Sequence, residues 1–317
     1  MISRRSVLEL TALAGAALTG ATAWRVQARA ARALAAHPPE GRLLTVGGQT
    51  VHAVVQGSGP DLVLIHGASG SSRDFTFALV ERLAADFRVI AFDRPGLGHS
   101  SPLPGGDASL TGQVAVLKAA ADQLGAPRPL LVGQSYGGTV AMAWALDHPA
   151  AALVTLAAPS LPWPGTLDPW YRLTSTAPGR ALLVPLAAAW VPEAYVRAQI
   201  DAVFAPADPP PGYLDHLGTD LVLRRSQLAA NVAQINALRP QVVAMEPRWP
   251  ALTLPFELVH GSADTIVPLS VHSGPLALRL PAAHLTVIDG AGHMPHHTHP
   301  DITLAAIHRA ATRAGLR

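Results

Sequence analysis

The sequence predicts an α/β fold: a mostly parallel central sheet with helices on both faces, interrupted by an inserted, mainly helical cap. Three observations predict it. From Leu43 onward, short apolar runs of strand length alternate with helix-compatible stretches, which is how a parallel sheet covered on both faces reads. Between Ser160 and Pro250 that register is lost, and the segment is rich in Pro, Leu and aromatic residues. Two more strand-like runs follow, so the irregular segment interrupts a sheet rather than ending it. At 317 residues, 49% apolar and 14% charged, the chain reads as globular or membrane-associated, not disordered. The length allows one large domain with an insertion or two ordinary domains, and does not choose between them.

Residues 1–41 come first, as a leader and spacer. Ser3-Arg4-Arg5-Ser6 precedes an uncharged run from Leu10 to Trp24, and Arg25 ends it. Paired arginines ahead of a mildly apolar, Gly/Ala-rich stretch resemble a twin-arginine export signal, and Ala28-Arg29-Ala30 offers small residues for cleavage. The run is about 15 residues, short of the roughly 20 that cross a bilayer, unless residues 6–8 are added at the expense of Glu9. A cleaved signal and a retained membrane anchor through residues 6–24 both fit. A soluble amphipathic helix fits less well, because the run lacks a polar face. Positive charge at the N-terminal side keeps that end cytoplasmic. The body is then exported in the bacterial manner, either anchored at the inner membrane or released to the periplasm or exterior. The leader is expected to stand outside the fold, with residues 25–41 a helical spacer ending in a Pro38-Pro39 breaker.

The core is expected over 42–160 and 251–317, with the cap over 161–250. Leu43–Val46 and Thr50–Val55 read as strands joined by Gly47-Gly48, a hairpin signal. Asp61–Ile65, Phe87–Phe92, Pro129–Val132 and Ala152–Leu156 supply four more, with helices expected at 74–85, 110–124 and 137–148. Phe256–Val259 and His284–Ile288 complete the set after the interruption. Four of the six tryptophans, Trp163, Trp170, Trp190 and Trp249, fall in the cap, where aromatics serve packing more often than recognition.

Ser135 sits in Gly133-Gln134-Ser135-Tyr136-Gly137, directly after the apolar run Leu130-Leu131-Val132 and before a helix-compatible stretch. A serine at so tight a strand-to-helix turn needs small flanking residues, and its hydroxyl projects from the sheet beside a helix N-terminus. A hydroxyl is a poor nucleophile until a base takes its proton, and a carboxylate must hold that base in the right tautomer. Asp264, in Val259-His260-Gly261-Ser262-Ala263-Asp264, and His293, in Gly290-Ala291-Gly292-His293, each follow a predicted strand. Parallel strands carry functional residues at their C-terminal ends, so Ser135, Asp264 and His293 are expected at one edge of the sheet. Acyl transfer also needs donors for an oxyanion. His66-Gly67-Ala68 follows the strand ending at Ile65, which nominates the backbone N–H groups of Ala68 and Tyr136.

With these motifs in view, residues 42–317 resemble the α/β-hydrolase superfamily. Asp93-Arg94-Pro95-Gly96-Leu97-Gly98-His99-Ser100 is similar to a loop such proteins carry ahead of the nucleophile strand, and Gly290–Pro295 matches their catalytic-histidine loop. The resemblance implies the α/β-hydrolase fold, an ester or related apolar carbonyl substrate of modest size, and a structural role for Asp93. The same scaffold hosts carbon–carbon bond hydrolases and cofactor-free haloperoxidases or perhydrolases, so the substrate stays open; a non-catalytic binding protein that keeps the fold is a further alternative, against which the full set of Ser135, Asp264 and His293 argues. Gln134 stands where many members have His. Epoxide hydrolases and haloalkane dehalogenases place aspartate at the elbow, and Ser135 argues against both.

Several functions are excluded or disfavoured. The chain has no cysteine, which removes disulfides, thiolate metal sites and a cysteine nucleophile. Arginines concentrate near the two ends without a basic block between them, so nucleic acid is not an expected partner. Gly57-Ser58-Gly59-Pro60 lacks the following helix and Lys-Ser/Thr pair of a phosphate loop. No cofactor or metal is expected. His293, His296, His297 and His299 are closely spaced, but Pro295 and Pro300 should break the helix aligning them, and no cluster of carboxylates stands nearby to complete a coordination sphere.

Overall fold

The computed structural model describes residues 4–317, so the first three residues of the expected leader lie outside the described residues. All eight apolar runs become strands of one sheet. These are β1 (Arg42–Val46), β2 (Gln49–Gln56), β3 (Asp61–Ile65), β4 (Arg88–Phe92), β5 (Leu130–Gln134), β6 (Ala152–Leu156), β7 (Phe256–Gly261) and β8 (Ala283–Ile288). Their order is β1-β2-β4-β3-β5-β6-β7-β8. β1 and β2 form an antiparallel hairpin, β2 runs antiparallel to β4, and every pair from β4 to β8 is parallel.

The unbroken apolar runs are explained by where alternate residues go. Val63, Ile65, Ile90, Phe92 and Leu131 join one core, while Leu62, Leu64, Val89, Ala91, Leu130 and Val132 join the other. Both faces are covered, so neither register of the pleat is free to be polar. Helix α1 (Arg4–Ala36) precedes the sheet. The expected helix at 74–85 is two short ones, α2 (Arg73–Thr76) and α3 (Leu79–Leu83), because Ala78 leaves helical geometry at φ −155°. α4 (Leu110–Gln123) starts at Ser109, whose hydroxyl accepts from Gly112 N–H at 3.0 Å. α5 (Tyr136–Asp147) follows β5 directly.

Between β6 and β7 the chain is helical, as expected. It runs through α6 (Pro169–Thr174), α7 (Ala177–Trp190), α8 (Glu193–Phe204), α9 (Tyr213–Leu217), α10 (Thr219–Val222) and α11 (Arg225–Met245). After β7 come α12 (Ser273–Arg279), α13 (Pro295–Thr298) and α14 (Pro300–Arg313). Trp249 is buried in the main core, donating its indole N–H to Ser160 O at 2.7 Å.

One expectation is corrected. The leader does not stand wholly outside the fold: α1 packs against α7 and α10 of the insert, with Thr22 and Ala33 buried. The packing residues, Thr22, Arg25, Arg29 and Ala33, recur at three- and four-residue spacing on one side of the helix. Along its length α1 is also apolar enough to cross a membrane.

Candidate active site

Ser135 occupies the turn between β5 and α5 at φ 50°, ψ −123°. A non-glycine residue rarely takes that conformation, and here the surroundings impose it. Ser135 N–H donates to Leu156 O and Ser135 O accepts from Gly138 N–H, both at 2.8 Å. A Cβ at Gly137 would run into the carbonyls of Ile65 and His66, and one at Gly133 into Gly137 itself. Steric contact therefore dictates both glycines of the pentapeptide.

Asp264 and His293 meet at the ends of β7 and β8. His293 Nδ1 donates to Asp264 Oδ2 at 2.7 Å, with both side chains buried. The other carboxylate oxygen accepts from the N–H groups of Ile266 and Val267, each at 2.9 Å. Burial pushes the Asp264 carboxyl upward, but hydrogen bonds from His260 and His293 outweigh it and hold the group well below the usual carboxylate range. His260 is itself fixed, its Nδ1 against Ser273 Oγ and its Nε2 against Val267 O, both at 2.7 Å. An ionised carboxylate on Nδ1 leaves Nε2 of His293 as the nitrogen that can take a proton.

The hydroxyl of Ser135 makes no hydrogen bond to a described residue, and the serine is 9% exposed. The nucleophile and histidine loops are joined instead by Gln134, whose amide donates to His293 O at 3.3 Å. The same amide nitrogen lies 3.5 Å from Met294 Sδ, so among the described residues the Gln134 side chain is bonded behind the nucleophile to the histidine loop alone.

Ala68 and Tyr136 are placed by β3 and by the first turn of α5. Among the described residues, neither N–H donates to another group. The loop carrying Ala68 is held by a residue that the sequence reading passed over. Arg94 is fully buried, donating from Nε to His66 O and from Nη2 to Gly67 O, each at 2.9 Å. Its Nη1 donates to Gln113 Oε1 at 2.9 Å and to Gln234 Oε1, on α11, at 2.7 Å. The guanidinium lies 4.2 Å from the ring centroid of Tyr136, whose hydroxyl accepts from Gln113. Among the described residues no carboxylate pairs with it, and burial lowers it to about 10, so it remains a cation at neutral pH. A second tie runs from Ser69, at φ 54°, whose N–H donates to Asn231 Oδ1 at 2.8 Å. Asn231 in turn donates to the Tyr171 hydroxyl at 3.4 Å.

Asp93 has the structural role implied by its motif. Its carboxylate accepts from Ser72 N–H at 2.6 Å and His99 N–H at 2.7 Å and meets His52 Nδ1 at 2.7 Å. The prolines keep the histidines off one continuous helix, as expected: α13 ends at Thr298 and α14 starts at Pro300, each with its proline in the first turn. The histidine cluster differs from expectation in its partner, because a carboxylate from far back in the chain, Asp74, reaches His296 and His297. Asp74 meets His296 Nε2 at 3.0 Å and His297 Nε2 at 2.8 Å, and accepts from Tyr213 Oη at 2.7 Å. Burial alone would raise Asp74, but interaction with the two histidines holds it well below the usual range. Burial lowers His296 to about 4. Among the described residues Asp74, His296 and His297 are the group that could hold a metal ion; the two Nε2 atoms are hydrogen-bonded to the carboxylate, while His296 Nδ1 is buried without a partner.

A serine at a strained strand-to-helix turn, with a carboxylate–histidine pair at the ends of two later parallel strands, defines an α/β hydrolase. The chain belongs to that family: the model described as "Alpha/beta hydrolase family" matches residues 62–306. The pimeloyl-[acyl-carrier protein] methyl ester esterase of Aeromonas salmonicida is 30% identical over 77% of this chain and 92% of its own. The 2-hydroxymuconate semialdehyde hydrolase of Pseudomonas putida is likewise 30% identical, over 83% and 91%. Among solved structures, a membrane phospholipase A described as a bacterial virulence factor shares the fold with a TM-score of 0.66. It is 23% identical, covering 98% of this chain and 97% of its own.

Proposed function

We propose that this hydrolase cleaves an apolar ester of modest size through an acyl-enzyme on Ser135. His293 Nε2 takes the hydroxyl proton as Oγ attacks the carbonyl carbon, and the N–H groups of Ala68 and Tyr136 receive the oxyanion. The proton then passes to the leaving alcohol. Water, deprotonated by His293, attacks the acyl carbon and releases the acid and free Ser135. Asp264 stays ionised and holds the imidazole in its tautomer. The insert serves as a cap, its α6 and α11 reaching the oxyanion loop through Tyr171, Asn231 and Gln234.

The observation that carries this reading is the buried 2.7 Å bond between His293 Nδ1 and Asp264 Oδ2 beside a serine held at φ 50°. An ester-hydrolysing relative at 30% identity supports it. An alkyl fluorophosphonate should label the folded protein at Ser135, and Ser135→Ala should abolish labelling. Failure of the intact protein to label would defeat the proposal. The relative that hydrolyses a semialdehyde favours a second reading, carbon–carbon bond cleavage on the same residues. Parallel assays with aryl esters of graded chain length and with vinylogous diketones separate the two, since only the first set should turn over rapidly on the ester reading.

A further inference from the structure

Helix α1 changes character halfway along. Residues 11–21 are exposed without interruption and carry no charge, with Leu13 67% and Leu18 56% exposed. From Thr22 onward the same helix is bound into the body of the protein. The indole N–H of Trp190 donates to Thr22 Oγ1 at 3.1 Å. Arg25 Nε donates to Ala189 O at 2.7 Å, and its guanidinium lies 4.6 Å from the Trp190 ring centroid. Arg29 donates to Ala189 O at 3.3 Å and Val191 O at 3.4 Å, and pairs with Asp220 at 3.0 Å. Two cations therefore satisfy carbonyls at the C-terminal end of α7, where the helix dipole places negative charge.

We infer that α1 is kept in the mature protein as a membrane anchor whose second half clamps the insert, so that the insert rests on the lipid surface. Cleavage near Ala30 would cut a continuous helix, remove Thr22, Arg25 and Arg29, and leave α7 without its terminal partners. Residues 6–24 rise about 28 Å as a helix, close to the roughly 30 Å of a bilayer's hydrocarbon core. That span places Arg4 and Arg5 on the cytoplasmic side, while Trp24 and Arg25 fall at the opposite interface, where such side chains settle. Trp190, bonded to Thr22 and stacked on Arg25, comes to the same level. The same insert leaves Leu182 on α7 and Leu173 on α6 about as exposed as Leu18, apolar surface that water does not favour and a headgroup layer does. Resting on the serine-hydrolase reading, the inference makes the preferred substrate an ester dissolved in that bilayer.

The full chain, extracted from native membranes and reconstituted into phosphatidylcholine vesicles, tests this. Mass spectrometry should show a chain that still contains residues 22–36, whereas a mature N-terminus near Ala31 overturns the inference. Lipid brominated near the headgroup should quench Trp24 and Trp190, two of six tryptophans, and thus up to about one third of the emission. The W24F/W190F variant should lose that quenching, and R25A/R29A should stay in the membrane but lose the Trp190 share. Equal quenching in R25A/R29A, or none in the parent, overturns the clamp. Fluorophosphonate labelling of the same vesicles reads the hydrolase chemistry separately, so failure of one is not mistaken for failure of the other.

Discussion

Replacing Arg94 by Met tests whether a buried cation holds the oxyanion loop in place. Its guanidinium supplies the charged donor to four buried acceptors: the carbonyls of His66 and Gly67 and the side-chain oxygens of Gln113 and Gln234. Each acceptor left without its donor costs about 1–3 kcal/mol. Relief of the cation's own desolvation, several kcal/mol, offsets part of that sum. Removing one member of a buried charged network leaves a net loss of about 3–5 kcal/mol. In a domain of this size that lowers Tm by about 5–8 °C. Loss of a whole oxyanion donor costs about 100- to 1000-fold in kcat, and loosening the loop that carries Ala68 should cost a fraction of that, about 10- to 100-fold. The assays are thermal unfolding by circular dichroism and kcat on a soluble aryl ester. Arg94→Lys should recover little, because an ammonium cannot address carbonyls and glutamines on two sides at once. The triple change R94M/Q113L/Q234L should regain part of the stability, since the two glutamine oxygens leave with the cation while the Tyr136 hydroxyl and Pro95 O lose their amide donors, yet keep the low kcat. Unaltered kcat in R94M at a temperature where it is folded would refute the positioning role.

Asp264→Asn should preserve the fold but lower kcat by about four orders of magnitude, because the amide supports the wrong imidazole tautomer; steady-state kinetics with a near-native melting curve checks it. Gly137→Ala should prevent correct folding of the elbow, since its Cβ meets the backbone carbonyls of Ile65 and His66, and soluble yield with fluorophosphonate labelling reports the loss. His66, His272 and His296 each titrate near pH 4 in the folded chain, lowered first by burial, against about 6.5 when unfolded. The unfolded chain therefore binds more protons between those values, so stability is full above about pH 6.5 and falls as pH drops toward 4, by up to about 3 kcal/mol per histidine. Urea midpoints measured from pH 8 to pH 4.5 should decline, and His296→Gln should shallow the decline; a flat profile contradicts the assignment. Tyr213→Phe should remove one of three donors to Asp74 and destabilise by about 1–2 kcal/mol, measured by urea unfolding at pH 7.

The strands and the elbow were legible because their determinants are local. Leu130-Leu131-Val132 followed by Gly-Gln-Ser-Tyr-Gly states a buried strand, a tight turn and a helix start within a few residues. Asp264 and His293 were legible because each lies just past a recognisable strand. What escaped depends on partners distant in the chain. Arg94 meets Gln234 across 140 positions and Asp74 meets His296 across 222, and nothing beside Arg94 or Asp74 announces either bond. The clamp between α1 and α7 escaped for the same reason: Arg25 and Arg29 read locally as the flank of an apolar run.

The chain leaves the sheet after β6 and returns in the neighbouring strand β7, with Leu153 opposite Phe256. Because departure and return are adjacent, the closure entropy of the excursion rises by only about 0.6 kcal/mol for each doubling of its length. Exchanging or enlarging the excursion therefore perturbs the sheet little, and selection can vary the proposed cap without rebuilding the strands beneath it. That freedom has two fixed points. Any replacement has to return a glutamine to Arg94 and an acceptor to Ser69 N–H, the positions now filled by Gln234 and Asn231. A graft that omits them should fold its sheet and still misplace the amide of Ala68.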